Sequence, residues 1–313
     1  DTIQRFLSGK QTFYQRYATT GFDPNDLALT MALSIPASYY LSLTTGPVWR
    51  WLFRLQIVIA AGTIFLTASR GGTVALTIAL SLVLTTAKLL DRRERIGLVA
   101  AMAALVPVAI FLVPASSWQR IATLGSEVTT GTLNSRTVLW QGGWEAFRNV
   151  PVQGVGLGAY PEYLVGVIGR PWGFTPVAHN TFLSVLVETG LIGFAFFALV
   201  FVFLIRGALR LGWLEKRLWF TTLAVWSIGV MSLTWEHRKP TWMLFGLLSA
   251  HAGAIGSLAS RSINERRVRG DFDRNSADET SRETWQARNG HQSVPGLAAE
   301  PAGLAGGEWN VYK

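Results

Sequence analysis

Long, uncharged runs of apolar residues constrain this chain more than any other feature of its sequence. Half of its 313 residues are hydrophobic and only 15% are charged, and the apolar residues are grouped in runs. A helix needs about 17–25 apolar residues to cross the hydrocarbon core of a bilayer. Several runs reach that length, so the sequence predicts an all-α integral membrane protein.

The runs divide the chain into a polytopic membrane domain over residues 1–260 and a polar tail over 261–313. The tail is too poor in apolar residues to fold alone, so we expect it to be disordered and cytoplasmic. One large extracytoplasmic loop is expected over 115–180. We predict about seven transmembrane helices, at Leu27–Leu43, Leu55–Ala68, Thr73–Ala87, Ile96–Val113, 181–205, Leu218–Thr234 and Thr241–Leu258.

The basic residues indicate which side of the membrane each loop faces. Alternating spans put three loops and the tail on one side, and all four are basic, which predicts that this side is cytoplasmic. The outer side then carries the turns at 69–72 and 235–240 and the large loop. The three basic loops are 44–54, 88–95 and 206–217.

Composition also excludes several classes of site and partner. The net charge of +9 comes from basic residues between apolar runs and in the tail, a membrane pattern that argues against a nucleic-acid partner. The absence of cysteine excludes disulfides, thiolate metal sites and a cysteine nucleophile. No set of His, Asp and Glu has metal-ligand spacing, so we expect neither a metal nor a cofactor. Because the chain starts at Asp1, we expect it to be the C-terminal part of a longer membrane protein.

His179 is the first candidate for chemistry, in the segment PVAHNTF directly before an apolar run. Asn180 or Thr181 is suited to cap the following helix. The free N–H groups at a helix N-terminus favour a bound anion, and histidine is the usual general base near neutral pH. The alternative is an interfacial histidine that only caps or packs.

Arg136 and Arg70 are the candidate anion ligands. Arg136 lies in NSRTVLW, where Asn134 or Ser135 is suited to cap a short helix running to about Arg148, and guanidinium matches phosphate oxygens well. Arg70 lies in SRGG, a predicted tight turn between two apolar runs, where an arginine is costly without a function. The alternatives are an arginine that binds lipid head groups and an ordinary interfacial anchor.

Three further features are given smaller roles. Glu188 is the only acid well inside a predicted span, and we expect it to hold a neighbouring helix or line a cavity. The letters GVGLGA at 154–159 lack the surrounding strand–helix–strand unit of a dinucleotide site, so these glycines predict a tight turn. The outer cluster Glu236–Lys239 either shapes an acceptor site or, as we favour here, is a solvated turn.

Five motifs follow one another along the chain: GFDPNDLA, SRGG, NSRxxxW, PVQGVGLGAY and AHNTFLSVLVETGLIG. In this order they resemble the O-antigen ligase/polymerase superfamily over about residues 20–255. The resemblance implies a metal-independent, inverting glycosyltransferase of the bacterial inner membrane, with its active site facing the periplasm. The implied donor is a glycan on undecaprenyl diphosphate, and the implied acceptor is lipid A–core or a growing glycan. Carried over by motif, Arg70 and Arg136 bind the donor diphosphate and His179 is the base.

O-antigen ligation to lipid A–core is the function that the motifs favour, with other members of the superfamily as alternatives. These are repeat-unit polymerases of O-antigen or exopolysaccharide, protein O-oligosaccharyltransferases, and bicarbonate or solute transporters. A transporter predicts charged groups at the membrane midplane and broken helices. A third class, a non-catalytic membrane scaffold or lipid-binding protein, predicts that His179 can be replaced without consequence.

Overall fold

A computed structural model of the chain describes residues 16–19, 21–97, 115–123, 136–168 and 176–254, with isolated positions outside these ranges. The described residues form helices and connecting turns and contain no β-strand, as the all-α prediction requires. The helices are α1 (Pro24–Thr44), α2 (Pro47–Leu66), α3 (Arg70–Thr86), α4 (Ala115–Ala122), α5 (Arg136–Asn149), α6 (Tyr160–Ile168), α7 (Thr181–Leu209), α8 (Trp213–Val230) and α9 (239–254).

Within the described ranges, four helices are long and apolar enough to cross a membrane. They are Pro24–Thr44, Pro47–Leu66, Arg70–Leu89 and Thr181–Leu209, and they overlap the predicted first, second, third and fifth spans. The predicted fourth span, Ile96–Val113, lies largely outside the described residues. The predicted sixth and seventh spans fall on α8 and α9, which are not among these four, so the structure supports fewer spans than the seven predicted.

Two predicted connections are instead helical. The loop expected at 44–54 is wrong, because α2 begins at Pro47 and includes Arg50 and Arg54. Proline fixes the helical φ and needs no N–H bond in a first turn, so it favours this early start. The turn expected at 69–72 is also wrong: Ser69 caps α3 and accepts a hydrogen bond from Gly72 N at 3.1 Å, so Arg70 is the first residue of that helix.

The glycines after Arg70 allow close packing rather than a turn. A Cβ on Gly72 would lie 2.5 Å from Ala28 Cβ in α1, and one on Gly71 would lie 2.8 Å from Ser232 Oγ. Only a residue without a side chain fits such distances. The first turn of α3 therefore lies directly against α1 and the segment after α8.

The main hydrophobic core joins α1, α3 and α8, with α2 packed on α1. Gly229 of α8 has no room for a Cβ beside the Leu29 side chain, which shows how closely α8 approaches α1. A second, smaller core joins α5, α6 and the start of α7. The largest fully buried side chains of the main core are Trp226, Trp235, Leu29, Ile35, Ile64 and Leu82.

The predicted basic loops meet at one end of these helices. Glu94 accepts hydrogen bonds from Arg50 Nη1 at 3.2 Å and Arg54 Nη2 at 2.8 Å. On the same side of the bundle, the Trp213 ring lies 4.9 Å from Lys88 Nζ and 4.5 Å from Arg217 Cζ. Residues of the segments 44–54, 88–95 and 206–217 thus lie at one end, as the alternation of spans along the chain predicted.

The chain divides into two units, Asp1–Gly256 and Ser257–Lys313. All residues discussed below belong to the first unit. In the second unit, the described positions 280, 284, 285 and 288 are helical, and Thr284 Oγ1 donates to the Thr280 carbonyl at 2.8 Å. The predicted disordered tail otherwise lies outside the described residues.

Candidate active site

The start of α1 and the start of α3 are tied together through Asn25. Its side-chain oxygen accepts hydrogen bonds from Ser69 Oγ at 2.9 Å and from Arg16 Nη2 at 2.8 Å. Arg16 Nε also donates to the Thr67 carbonyl at 2.7 Å. Arg70 follows the cap of α3 directly, and its Nη2 donates to Thr123 Oγ1 at 2.8 Å. Arg70 is therefore held at the same end as the GFDPND segment.

Arg136 is the first described residue of α5, the predicted caps Asn134 and Ser135 lie outside the described residues, and the Arg136 side chain is half-buried. Burial lowers the pKa of its guanidinium, and the positive charge of Arg70 lowers it further, whereas the carboxylate of Asp23 opposes both. Charges act on one another in this way only over short distances. Arg70, Arg136 and Asp23 therefore form one charged cluster.

His179 lies at the same cluster, directly before α7. Its backbone is left-handed, with φ of 45°, which is uncommon for a residue with a side chain. Its N–H donates to Thr234 Oγ1 at 3.0 Å. The next residue, Asn180, caps α7 by accepting from Leu183 N at 3.2 Å. A strained backbone held by a specific bond fixes the position of this imidazole.

The surroundings of His179 favour its neutral form. Burial is the largest effect and lowers the pKa of the imidazole below its usual value. The positive charge of Arg136 lowers this pKa further, and Asp23 partly opposes both effects. A neutral imidazole is the form that can accept a proton.

Asp23 is a member of the cluster that the sequence analysis did not select as a candidate. It caps α1 by accepting a hydrogen bond from Asn25 N at 2.7 Å, and its side chain is exposed. The sequence signal that could have identified Asp23 is an acidic residue next to a proline, on the same predicted outer surface as Arg70. Its carboxylate is the one described acid that acts on both Arg136 and His179.

Helix α5 is attached to the residues before α7, which places Arg136 relative to His179. Trp140 Nε1 donates to the Ala178 carbonyl at 2.9 Å. Tyr160 of α6 donates its hydroxyl to the Leu139 carbonyl at 2.7 Å, and burial raises the pKa of this phenol. The first bond joins α5 to the segment that ends with His179, and the second joins α5 to α6.

Helix α7 is broken, although its sequence predicted the cleanest span. Gly190 has φ of 63° and ψ of −165°, outside helical values. The segment after α5 fills the break with backbone hydrogen bonds in both directions. These bonds are Val155 N to Val187 O at 2.9 Å, Gly156 N to Glu188 O at 3.0 Å, Leu191 N to Pro151 O at 2.8 Å and Ile192 N to Val152 O at 3.3 Å.

The structure shows Glu188 bonded to a glycine segment, where the sequence suggested that it holds a neighbouring helix or lines a cavity. Its buried carboxylate accepts a hydrogen bond from Gly158 N at 3.0 Å. Gly154, Gly156 and Gly158 all have positive φ, which confirms the predicted tight turning of this segment. The acid in the span therefore holds the glycine segment in the helix break.

The segment from α8 to the start of α9 is a turn in which His237, Arg238 and Lys239 are exposed, as the prediction of a solvated turn requires, whereas Trp235 and Glu236 are buried. Trp235 is only 2% exposed and donates its Nε1–H to Asp26 Oδ1 at 2.8 Å. Arg238 Nη2 donates to the other oxygen of Asp26 at 3.0 Å. Thr181 Oγ1 donates to the Leu233 carbonyl at 2.9 Å and accepts from Trp235 N at 2.8 Å.

The cluster can bind an anion and activate a hydroxyl. Two guanidinium groups and the N-terminal ends of α3, α5 and α7 supply positive charge and donors at one end of the bundle. Among the described residues, no group of three or more His, Cys, Asp and Glu side chains is arranged to hold a metal ion. The positive charge present there comes from the protein's own side chains.

Comparison with known proteins agrees with these features. Residues 55–198, which contain Arg70, Arg136 and His179, match the family model described as O-Antigen ligase. A 94-residue stretch is 37% identical to the Exopolysaccharide production protein ExoQ of Rhizobium meliloti (strain 1021). That match covers 28% of this chain and 22% of the relative, so the aligned region spans about a fifth of that protein. Residues 55–198 of this chain are thus similar to the O-antigen ligase-like superfamily.

Proposed function

We propose that the protein is a membrane glycosyltransferase that moves a glycan from undecaprenyl diphosphate to an acceptor hydroxyl. The observation that carries the proposal is the single cluster formed by Arg70, Arg136, His179 and Asp23. The similarity of residues 55–198 to the family model described as O-Antigen ligase supports the same chemistry. The favoured reaction is ligation of O-antigen to lipid A–core.

In the proposed reaction, Arg70 and Arg136 bind the diphosphate of the donor. Neutral His179 takes the proton of the acceptor hydroxyl as its oxygen forms a bond to the anomeric carbon. The bond from that carbon to the diphosphate oxygen breaks, and undecaprenyl diphosphate leaves with the electron pair. The two guanidinium groups stabilise the developing negative charge, so no metal is required. Attack opposite the leaving group inverts the anomeric configuration.

We propose that the cluster faces the periplasm and that the membrane is the bacterial inner membrane. The end opposite the cluster carries Arg50, Arg54, Lys88 and Arg217, and basic ends of membrane helices favour the cytoplasm. The lipid part of the donor would then lie in the bilayer beside the spans, with its diphosphate at the outer surface.

A second candidate acceptor is a growing glycan. The matched relative carries a name that refers to exopolysaccharide production. Transfer to another lipid-linked glycan would use the same donor, base and leaving group, and only the acceptor would differ. This alternative makes the protein a repeat-unit polymerase.

The transporter alternative finds less support. A broken helix and a buried acid in a span are features that a transporter predicts, and α7 has both. The break is filled by backbone from residues 151–156, and Glu188 is bonded to Gly158 N. Neither feature lines an open path, so both are explained by attachment of the glycine segment.

The test is a transfer assay with the full-length protein in proteoliposomes. The donor is a radiolabelled glycan on undecaprenyl diphosphate, offered with lipid A–core, with unlabelled lipid-linked glycan, or alone. Label on lipid A–core supports the ligase, and lengthened lipid-linked glycan supports the polymerase. If label reaches neither acceptor while a control ligase transfers it, the proposed function is wrong.

A further inference from the structure

Glu236 carries a buried carboxylate that the fold leaves without a hydrogen bond. The residue is 8% exposed, and neither carboxylate oxygen has a hydrogen-bond partner among the described residues. The imidazole atom His237 Nε2 lies 3.7 Å from Oε1, beyond hydrogen-bond distance, and belongs to a side chain that is 63% exposed. Burial of such a group without a donor is unfavourable.

The carboxylate does not hold its own segment in place. The Glu236 carbonyl accepts a hydrogen bond from Trp242 Nε1 at 2.8 Å, and Trp235 and Arg238 on either side are bonded to Asp26. The backbone is thus fixed by other groups. Glu236 therefore has a destabilising side chain in a well-held segment, a pattern typical of binding residues rather than structural ones.

Glu236 belongs to the wall of the candidate active site. Two residues earlier, Thr234 accepts the N–H of His179 at 3.0 Å. The segment that carries Glu236 is therefore bonded directly to the candidate base. A group bound by Glu236 would lie on the α9 side of His179, away from the attachment of α5 through Trp140 and Ala178.

The chemistry around Glu236 selects the type of ligand. A metal ion would need more ligands, and the described residues offer no group of three that could hold one. Trp242 is bonded to the Glu236 carbonyl, and its indole is part of a residue that is 51% exposed. A sugar suits this pair, because its C–H face packs on an aromatic ring and its hydroxyls donate to a carboxylate.

We propose that Glu236 and Trp242 form the subsite for the acceptor sugar, an inference that rests on the proposed glycosyl transfer. The carboxylate accepts hydrogen bonds from two hydroxyls of the acceptor, and the indole packs against its ring. The exposed imidazole of His237, which borders Oε1, turns aside as the sugar enters. Arg70 and Arg136 bind the donor at the other side of His179.

The test uses Glu236→Gln, Glu236→Ala and Trp242→Ala in the full-length protein, with Glu162→Gln as an exposed glutamate control. Steady-state transfer is measured while the acceptor, lipid A–core or lipid-linked glycan, and the donor are varied separately. Loss of hydrogen bonds to a charged group should raise the acceptor KM about tenfold to a hundredfold. The donor KM and the Glu162→Gln variant should stay at wild-type values.

Thermal unfolding without substrate separates binding from a structural role. Because the wild-type carboxylate lacks partners, Glu236→Gln should unfold at the same temperature as wild type or higher. A lowered unfolding temperature with an unchanged acceptor KM would overturn the proposal, as would a raised donor KM alone.

Direct binding keeps this inference separate from the proposed reaction. Delipidated core oligosaccharide and a repeat-unit oligosaccharide are titrated by Trp fluorescence, with Trp242→Phe identifying the signal. Glu236→Ala should weaken binding of one of them about tenfold or more. Binding of either sugar that is equal in wild type and Glu236→Ala, or no binding of either, overturns the subsite even where transfer is confirmed. Sugar binding lost in Glu236→Ala supports the subsite even where wild type transfers nothing.

Discussion

Gly154 and Gly190 meet backbone to backbone, and this contact sets the form of the candidate site. A Cβ on Gly154 would lie 2.5 Å from Gly190 N, and a Cβ on Gly190 would lie 2.5 Å from Gly154 N. Both glycines also have positive φ. The contact inserts the segment after α5 into the break in α7, and so couples the helix of Arg136 to the helix that follows His179.

We expect Gly190→Ala to destabilise the protein by about 2–4 kcal/mol, because a methyl group would add both overlap and left-handed backbone strain. The measurement is thermal unfolding in detergent. Gly246→Ala is the control, since a Cβ at Gly246 would meet nothing within 4 Å. Equal unfolding temperatures for the two variants would show that the glycine contact is not formed.

Replacement of Glu188 should loosen the glycine segment. Glu188→Ala leaves the Gly158 N–H without its acceptor, at a cost of about 1–3 kcal/mol, whereas Glu188→Gln keeps an oxygen in place. Hydrogen–deuterium exchange over 154–160 should therefore be faster in the alanine variant than in the glutamine variant. Identical exchange in both would argue that the carboxylate does not hold this segment.

The pH dependence of transfer should report the charge of Asp23. His179 must be neutral to act, so transfer falls as pH drops through its lowered pKa. Asp23 opposes that lowering, so Asp23→Asn should lower the pKa further and move the acidic limb of kcat/KM to lower pH. Asparagine preserves the helix cap.

Asp91→Asn is the matched control for that experiment. Asp91 is also an exposed acid, it accepts a hydrogen bond from Glu94 N at 2.7 Å, and it lies at the end of the helices opposite the charged cluster. It should leave the pH profile unchanged. An acidic limb that moves to higher pH in Asp23→Asn would contradict the proposed electrostatic contact.

The donor site should depend on guanidinium and not on positive charge alone. Arg136→Lys keeps the charge but loses the two-pronged bond to phosphate oxygens, so the donor KM should rise about tenfold. Arg210→Lys, an exposed arginine at the end of α7, is the control. A donor KM that is unchanged in Arg136→Lys would remove Arg136 from the donor site.

Local signals in the sequence predicted much of the helical structure. The apolar run of α1 and the Asn180 cap of α7 are determined within a few neighbouring residues, and the structure agrees with both. The helix Arg136–Asn149 agrees with the short helix that was predicted to run to about Arg148. The predicted helix starts were wrong at two places, where the helix begins inside a predicted loop or turn. Pro47 begins α2 and Ser69 caps α3 at these places.

Features that depend on distant residues were not predicted. Gly190 is an ordinary glycine in an apolar run, and the break there requires carbonyls from Pro151 and Val152, about forty positions earlier. Burial of Glu236 likewise depends on packing around Trp235 and α1. The contribution of Asp23 to the charged cluster appears only when α1, α5 and the start of α7 are brought together.

The most direct test of the central claim compares His179→Ala with wild type at matched expression, in transfer and in donor binding. His251→Ala, at a histidine bonded to Trp219 and away from the cluster, controls for loss of an imidazole. We predict that His179→Ala binds the lipid-linked donor with unchanged affinity and transfers glycan at least a hundredfold more slowly, because only the base is lost. Wild-type transfer by His179→Ala would contradict the account.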